Sequence, residues 1–163
     1  MPELPEVEGV VRALSPKIEG KTILEVALSK TVCDAHQQGK QCIVKNMEPR
    51  EFEEQMRGMT IKKVLRRAKY IFIDLEKNNT PYLFVNHLGM TGAWFIVQNE
   101  NEILEEKFRN HIHATFQLST GELLIFSDIR RFGELRLLNT IDEHPPLLQM
   151  APEPFDEIAL NYF

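Results

Sequence analysis

Cysteine is almost missing from this sequence: Cys33 and Cys42 are the only two in 163 residues. Two thiols cannot supply the disulfide framework of a small secreted domain. With His36 between them they offer three ligand-type side chains on a glycine-containing loop, weak grounds for a metal site. No run of 18 apolar residues is present, which excludes a membrane-spanning helix. No basic start followed by an apolar stretch marks a secretory signal. The expected setting is soluble and cytoplasmic, so Asn78-Asn79-Thr80 is read as a turn although it matches a glycosylation acceptor. Internal repeats and low-complexity segments are also missing. The net charge of −5 denies the chain a general attraction to nucleic acid.

The positive charge that exists is gathered in two places. Lys62, Lys63, Arg66, Arg67 and Lys69 fall within eight residues, with no acid between Glu54 and Asp74. Arg130, Arg131 and Arg136 form a second cluster. Beyond Arg136 there is no Lys or Arg, while Asp142, Glu143, Glu153, Asp156 and Glu157 accumulate.

A hydrophobic content of 43% is ordinary for a folded globular chain, and the length fits one domain. Val7, Val10, Val11, Leu14 and Ile18 recur at helical spacing, predicting an amphipathic helix over 5–19 that Pro16 kinks or splits and Gly20 ends. A strand over 22–29, a polar loop or hairpin excursion over 30–46, and a short helix over 49–57 stopped by Gly58 follow. From residue 60 the pattern turns to short β-rich runs at 60–67, 69–76, 81–87, 92–98, 111–118, 122–127 and 133–138. The predicted class is α+β, mainly β: a two-layer antiparallel β-sandwich or flattened barrel, with the N-terminal helix and one further helix at its edges. Residues 139–163 hold Pro145, Pro146, Pro152 and Pro154 and read as a linker leaving a domain of 1–138, so the chain is expected to come from a longer protein.

The chemistry concentrates at the start, Met1-Pro2-Glu3-Leu4-Pro5-Glu6-Val7-Glu8. Met1 precedes a small residue and is expected to be removed, leaving Pro2 as a terminal secondary amine able to attack an aldehyde-like carbon. An α-amino group with a pKa of ~7.7–8 is unprotonated in roughly a tenth of molecules at neutral pH, against under ~0.1% for an ordinary lysine. Glu3, Glu6 and Glu8 place acids and bases beside that nucleophile. The same residues also make a sound helix start, with Pro5 in the first turn and acids at the positive end.

Four further motifs carry weaker signals. Lys69, in Arg66-Arg67-Ala68-Lys69-Tyr70, could meet a phosphate or the reacting centre near the terminus, or be a solvated strand end. His87-Leu88-Gly89-Met90-Thr91-Gly92 sets glycines around Met90, which is either a core residue or a wedge for a base stack. His111 and His113 are expected to share one strand face, as a satisfied polar face or a phosphate contact rather than a metal site. Asp128-Ile129-Arg130-Arg131-Phe132-Gly133 joins two arginines to an aromatic, a unit suited to filling a gap in DNA or tracking its backbone.

Taken in order, PELPEVE, RRAKY, HLGMTG, NHIH, DIRRFG and the late APEP resemble the formamidopyrimidine-DNA glycosylase family along nearly the whole chain. PELPEVE is similar to that branch rather than to the endonuclease VIII branch for oxidised pyrimidines, which typically begins PEGPE. The resemblance implies a bifunctional base-excision repair enzyme that acts on oxidised purines, such as 8-oxoguanine and formamidopyrimidines, in double-stranded damaged DNA.

It implies Pro2 as the nucleophile at C1′, Glu3 as the acid/base, Glu6 as support for the helix start, and Lys69 as a contact to the lesion's phosphate. His111, Arg130 and Arg131 become DNA-binding positions, and Met90, Arg130 and Phe132 the residues that fill the space left by the flipped base. Full-length members continue into a helix–two-turns–helix region and a four-cysteine zinc finger. Zinc is therefore expected only there and no cofactor in this chain, and these 163 residues alone should bind DNA weakly.

A monomer in the bacterial cytoplasm, associated with the nucleoid and free of membrane, is the implied setting. Competing readings are a noncatalytic damaged-DNA-binding module of the same fold, and a tautomerase using terminal proline as a base.

Overall fold

Residues 3–40 and 42–139 are described by the computed structural model. Of the predicted linker over 139–163 only residue 139 is among them, and Pro2 also lies outside the described residues.

Helix α1 (Leu4–Ile18) turns Val7, Val11, Leu14 and Ile18 inward, the stripe its spacing demands. Glu3 is its cap. The Glu3 carbonyl accepts from the N–H groups of Glu6 and Val7 at 3.0 and 3.1 Å, and its own N–H donates to Glu6 Oε1 at 3.5 Å. Pro16 neither splits nor ends the helix. It lies in the last turn, where its missing N–H leaves only the carbonyl of Arg12 without a helical donor, and Arg12 faces solvent. Gly20, at φ +84°, ends the run as expected, and its N–H donates to the Ile61 carbonyl at 2.7 Å.

Two four-stranded antiparallel sheets follow. One is ordered β1 (Ile23–Leu28), β6 (Ile112–Leu118), β7 (Leu123–Asp128), β5 (Gly92–Val97); the other β2 (Thr60–Arg67), β3 (Tyr70–Lys77), β4 (Thr80–His87), β8 (Glu134–Leu138). The expected sandwich is present. Asn78 and Asn79, both at positive φ, make the tight β3–β4 turn. Helix α1 packs beside β2, and helix α3 (Pro49–Met56) beside β1.

The core between the sheets is aromatic. Phe52 of α3 lies 5.9 Å from Phe84 and 6.3 Å from Phe116, and Trp94 is 4.9 Å from Phe126, centroid to centroid. Each such ring, taken fully out of water, contributes about 1.5–3 kcal/mol. A second cluster, Phe72, Leu83, Val85 and Leu138, occupies the opposite face of the β2–β8 sheet.

Residues 30–46 correct the expectation of a loop. Helix α2 (Lys30–Gln37) forms there, with Ser29 Oγ accepting from the Val32 N–H at 3.1 Å. Only Val32 and Ala35 are buried on it, so its sequence shows no apolar stripe. The chain then runs parallel to β8: Leu135 N–H donates to the Ile43 carbonyl at 2.9 Å and Lys45 N–H to the Leu135 carbonyl at 3.0 Å.

Candidate active site

At the start of α1, the Glu3 carboxylate extends into solvent and meets Lys69, with Nζ 3.8 Å from Oε2. Lys69 is the second residue of the two-residue β2–β3 loop, closed by the Arg67–Tyr70 pair. Ala68 precedes it at φ +53°, a left-handed position that costs a residue with a Cβ about 1–2 kcal/mol. Arg66 offsets that cost. Its Nη1 donates to the Ala68 carbonyl at 3.0 Å, while its Nε donates to Glu8 Oε2 of α1 at 2.7 Å. One guanidinium thus ties the tight loop to the helix and carries Lys69 to Glu3. Pro2 itself lies outside the described residues and is joined to Glu3 by one peptide bond.

Two loops stand beside this pair. His87, paired across the sheet with Tyr70 and 5.0 Å from its ring, ends β4 and leads into Leu88-Gly89-Met90-Thr91. The other loop, Ile129–Gly133, leaves β7. Met90 is 45% exposed and Phe132 42%, unusual for side chains so apolar. The Arg130 guanidinium sits 5.1 Å from the Phe132 ring centroid, a cation–π stack. The loops touch through backbone: a Cβ on Gly89 would lie 2.5 Å from both Gly133 N and Phe132 C. Glycine is obligatory at that contact, and at φ +63° it is also conformationally required.

The paired histidines separate. His111 lies in the turn before β6, its Nδ1–H donating to the Lys107 carbonyl at 2.7 Å, and its ring remains partly exposed. His113 is buried, at 5% exposure, on a register shift between Ile112 and Ala114. The irregularity breaks the alternation that would have put both rings on one face. The His113 Nε2–H donates to the Asp128 carbonyl at 3.1 Å, and its Nδ1 accepts from Ser29 Oγ at 2.9 Å.

Charge is also redistributed. Lys62 and Lys63 lie several residues down the extended β2 strand from Lys69, Arg67 is buried, and Arg136 pairs with Glu134 at 3.0 Å. The two basic runs of the sequence are therefore not two whole surface patches. Cys42 is buried and donates its Sγ–H to the Val32 carbonyl at 3.6 Å, and no metal-ligand group of three occurs among the described residues.

Burial pushes the imidazoles of His87 and His113 below the usual histidine value. Lys69 adds to the effect at His87 against Glu134, whereas at His113 the Asp128 carbonyl and carboxylate oppose it. Each ring therefore binds a proton less readily folded than unfolded. Their contribution to stability is complete above ~6.5, the unfolded value, and is lost as pH falls through the depressed folded values. Thermal melts between pH 7.5 and 5 should show a falling Tm on the acid side. A flat profile would contradict the neutral, acceptor role of His87 Nδ1 toward the Gly89 N–H at 3.0 Å.

The model of the formamidopyrimidine-DNA glycosylase N-terminal domain matches residues 1–135. The chain belongs to this family. Formamidopyrimidine-DNA glycosylases of Bartonella bacilliformis and an Exiguobacterium species are 36% and 38% identical to it, each alignment covering 96% of the chain but only 52% and 51% of the relative. The chain thus spans about half the length of the curated formamidopyrimidine-DNA glycosylases it matches. Among solved structures, the Lactococcus lactis enzyme bound to abasic-site DNA superposes with a TM-score of 0.70 at 26% identity, over 91% of this chain and 48% of that one. The same enzyme with DNA containing a formamidopyrimidine deoxyguanosine gives 0.69 at 27% identity, over 90% and 48%. Among the described residues no helix is long and apolar enough to cross a membrane.

Residues 3–8, RRAKY, HLGMTG and DIRRFG converge on one end of the sandwich. Asp128, Thr91 and His87 also belong there and were not singled out from sequence. An acid inside an otherwise basic motif was the signal for Asp128.

Proposed function

We propose that this chain is the catalytic N-terminal domain of a base-excision repair DNA glycosylase and abasic-site lyase that removes oxidised purines from double-stranded DNA. The observation that carries the reading is Lys69 meeting Glu3 at 3.8 Å, next to the residue that becomes the amino terminus when Met1 is removed. Met90, Arg130 and Phe132, exposed and adjacent, support extrusion of the damaged nucleotide, since an apolar, a cationic and an aromatic group can occupy the hole it leaves.

In this mechanism the Pro2 nitrogen bonds to C1′, and the C1′–base bond breaks with a proton delivered to the leaving group. Opening of the sugar, with O4′ taking a proton, gives an iminium. Loss of a C2′ proton then expels the 3′-phosphate, and a second elimination expels the 5′-phosphate, leaving a gap. Glu3 is the group that gives and takes protons. Lys69 holds the lesion's phosphate, with His111, Arg130 and Arg131 on flanking backbone. The chemistry needs an amine and a proton carrier and draws on no cofactor in this chain. Zinc is assigned to the family's four-cysteine finger, for which Cys33 and Cys42 do not suffice. The protein acts as a monomer in the bacterial cytoplasm, at the nucleoid.

Borohydride reduction in the presence of abasic or 8-oxoguanine DNA tests the proposal. A covalent adduct at Pro2, abolished when an N-terminal tag blocks the amine, is the expected result. No adduct, even from a longer chain carrying the remaining family regions, would refute the chemistry. Equal binding to damaged and undamaged duplex without cleavage would favour a noncatalytic damage-binding module.

A further inference from the structure

Asp128 is a carboxylate with no exposed surface, at the end of β7, and none of the chemistry above uses it. Burying a carboxylate is costly unless its lone pairs are taken. Here they are taken by both loops. Oδ1 accepts from the Thr91 hydroxyl at 2.6 Å and from the Arg131 N–H at 3.0 Å, and Oδ2 accepts from the Gly133 N–H at 2.7 Å. Thr91 Oγ1 in turn accepts from the Arg130 N–H at 2.8 Å. The hydroxyl of the Met90 loop is thus bonded in both directions to the Arg130–Phe132 loop. Gly133 allows the approach, because a Cβ there would come within 2.7 Å of Oδ2.

We infer that Asp128 and Thr91 are positioning residues: a buried latch that fixes the Met90 loop and the Arg130–Phe132 loop as one rigid wedge, so that the loops need no further ordering when a duplex has to be opened. The inference rests on the proposed function and deepens it, since the latch touches neither the reacting sugar nor Pro2. Only an acceptor on both oxygens fits this environment. In Asp128→Asn one oxygen becomes an NH₂ facing an N–H or hydroxyl donor, so at least one loop is released. Thr91→Val keeps the volume and removes only the hydroxyl bridge.

The experiment compares borohydride trapping on abasic duplex with trapping on the same abasic oligonucleotide as a single strand, where no stack has to be opened. It is run with the full chain, its Asp128→Asn and Thr91→Val variants, and amide exchange on each. Asp128→Asn should slow duplex trapping by roughly 30-fold and Thr91→Val by roughly 5- to 10-fold, with single-strand trapping within about threefold of the parent. The amide of Arg131 or of Gly133, whichever the new NH₂ faces, should lose protection in Asp128→Asn, and that of Arg130 in Thr91→Val.

Equal losses on both substrates, or no loss on either, overturn the latch. If Asp128→Asn does not fold, Thr91→Val decides by the same ratio. If the unaltered chain traps neither substrate, the lyase reading fails by itself. The latch is then judged by amide exchange, and unchanged protection at Arg130 in Thr91→Val together with unchanged protection at both Arg131 and Gly133 in Asp128→Asn refutes it.

Discussion

Glu3→Gln is expected to slow base release by roughly 10²- to 10⁴-fold, the usual worth of a positioned proton carrier, while leaving the domain folded. Two observations separate these effects. The Glu3 side chain is largely exposed, so nothing in the core depends on it. The capping of α1 uses the Glu3 backbone, whose carbonyl takes the N–H groups of Glu6 and Val7, and the side-chain acceptor of the Glu3–Glu6 capping box is retained by Gln. The exposed pair with Lys69 is itself worth about 1 kcal/mol or less, so the Tm should hardly move. Single-turnover assays on 8-oxoguanine duplex should show the loss, and trapping on a preformed abasic site should be far less affected, since no base has to leave. A variant that releases base at the parent rate would remove Glu3 from the mechanism.

Gly89→Ala should be strongly damaging, because it combines a backbone clash with a left-handed φ. The new Cβ would stand 2.5 Å from Gly133 N and Phe132 C and 2.8 Å from the Phe132 carbonyl oxygen, all backbone atoms that cannot rotate away. Overpacking of this kind costs about 1–3 kcal/mol, and the left-handed φ of +63° adds about 1–2 kcal/mol. A loss of about 3 kcal/mol corresponds to a Tm lower by roughly 6–12 °C in a chain of this size. Because the clash forces Met90 away from Phe132, duplex cleavage should fall further than the stability loss explains. Gly121→Ala is the comparison: it has a φ of +92° but nothing within 4 Å of the added carbon, so it should show the backbone penalty alone.

Much of this molecule could be read from residue order. The stripe Val7, Val11, Leu14, Ile18 gave α1, and alternation with Asn78-Asn79 between runs gave the β3–β4 hairpin, because helices and strands that bury one face must repeat their apolar residues. Helix α2 escaped for the same reason: burying only Val32 and Ala35, it has no repeat to display. The irregularity at His113 escaped because one extra residue in a strand leaves no mark on composition. The basic run from Lys62 to Lys69 looked like one patch, yet an extended strand advances about 3.3 Å per residue and alternates its faces. Arg67 is consequently buried, while Lys69 reaches α1. That Lys69 would reach the amino-terminal end was one reading of its tight loop among others, since no local rule joins residues so distant in sequence.

The parallel bridge between Val44 and Leu135 has a consequence for how this protein lives among its own copies. Strand β8 ends its sheet, and an open margin of that kind invites strand addition by a second molecule. Here the backbone amide and carbonyl of Leu135 are already occupied by Ile43 and Lys45 of the same chain. The segment after α2 thus acts as a selvedge, finishing the fabric where it would otherwise fray into fibres.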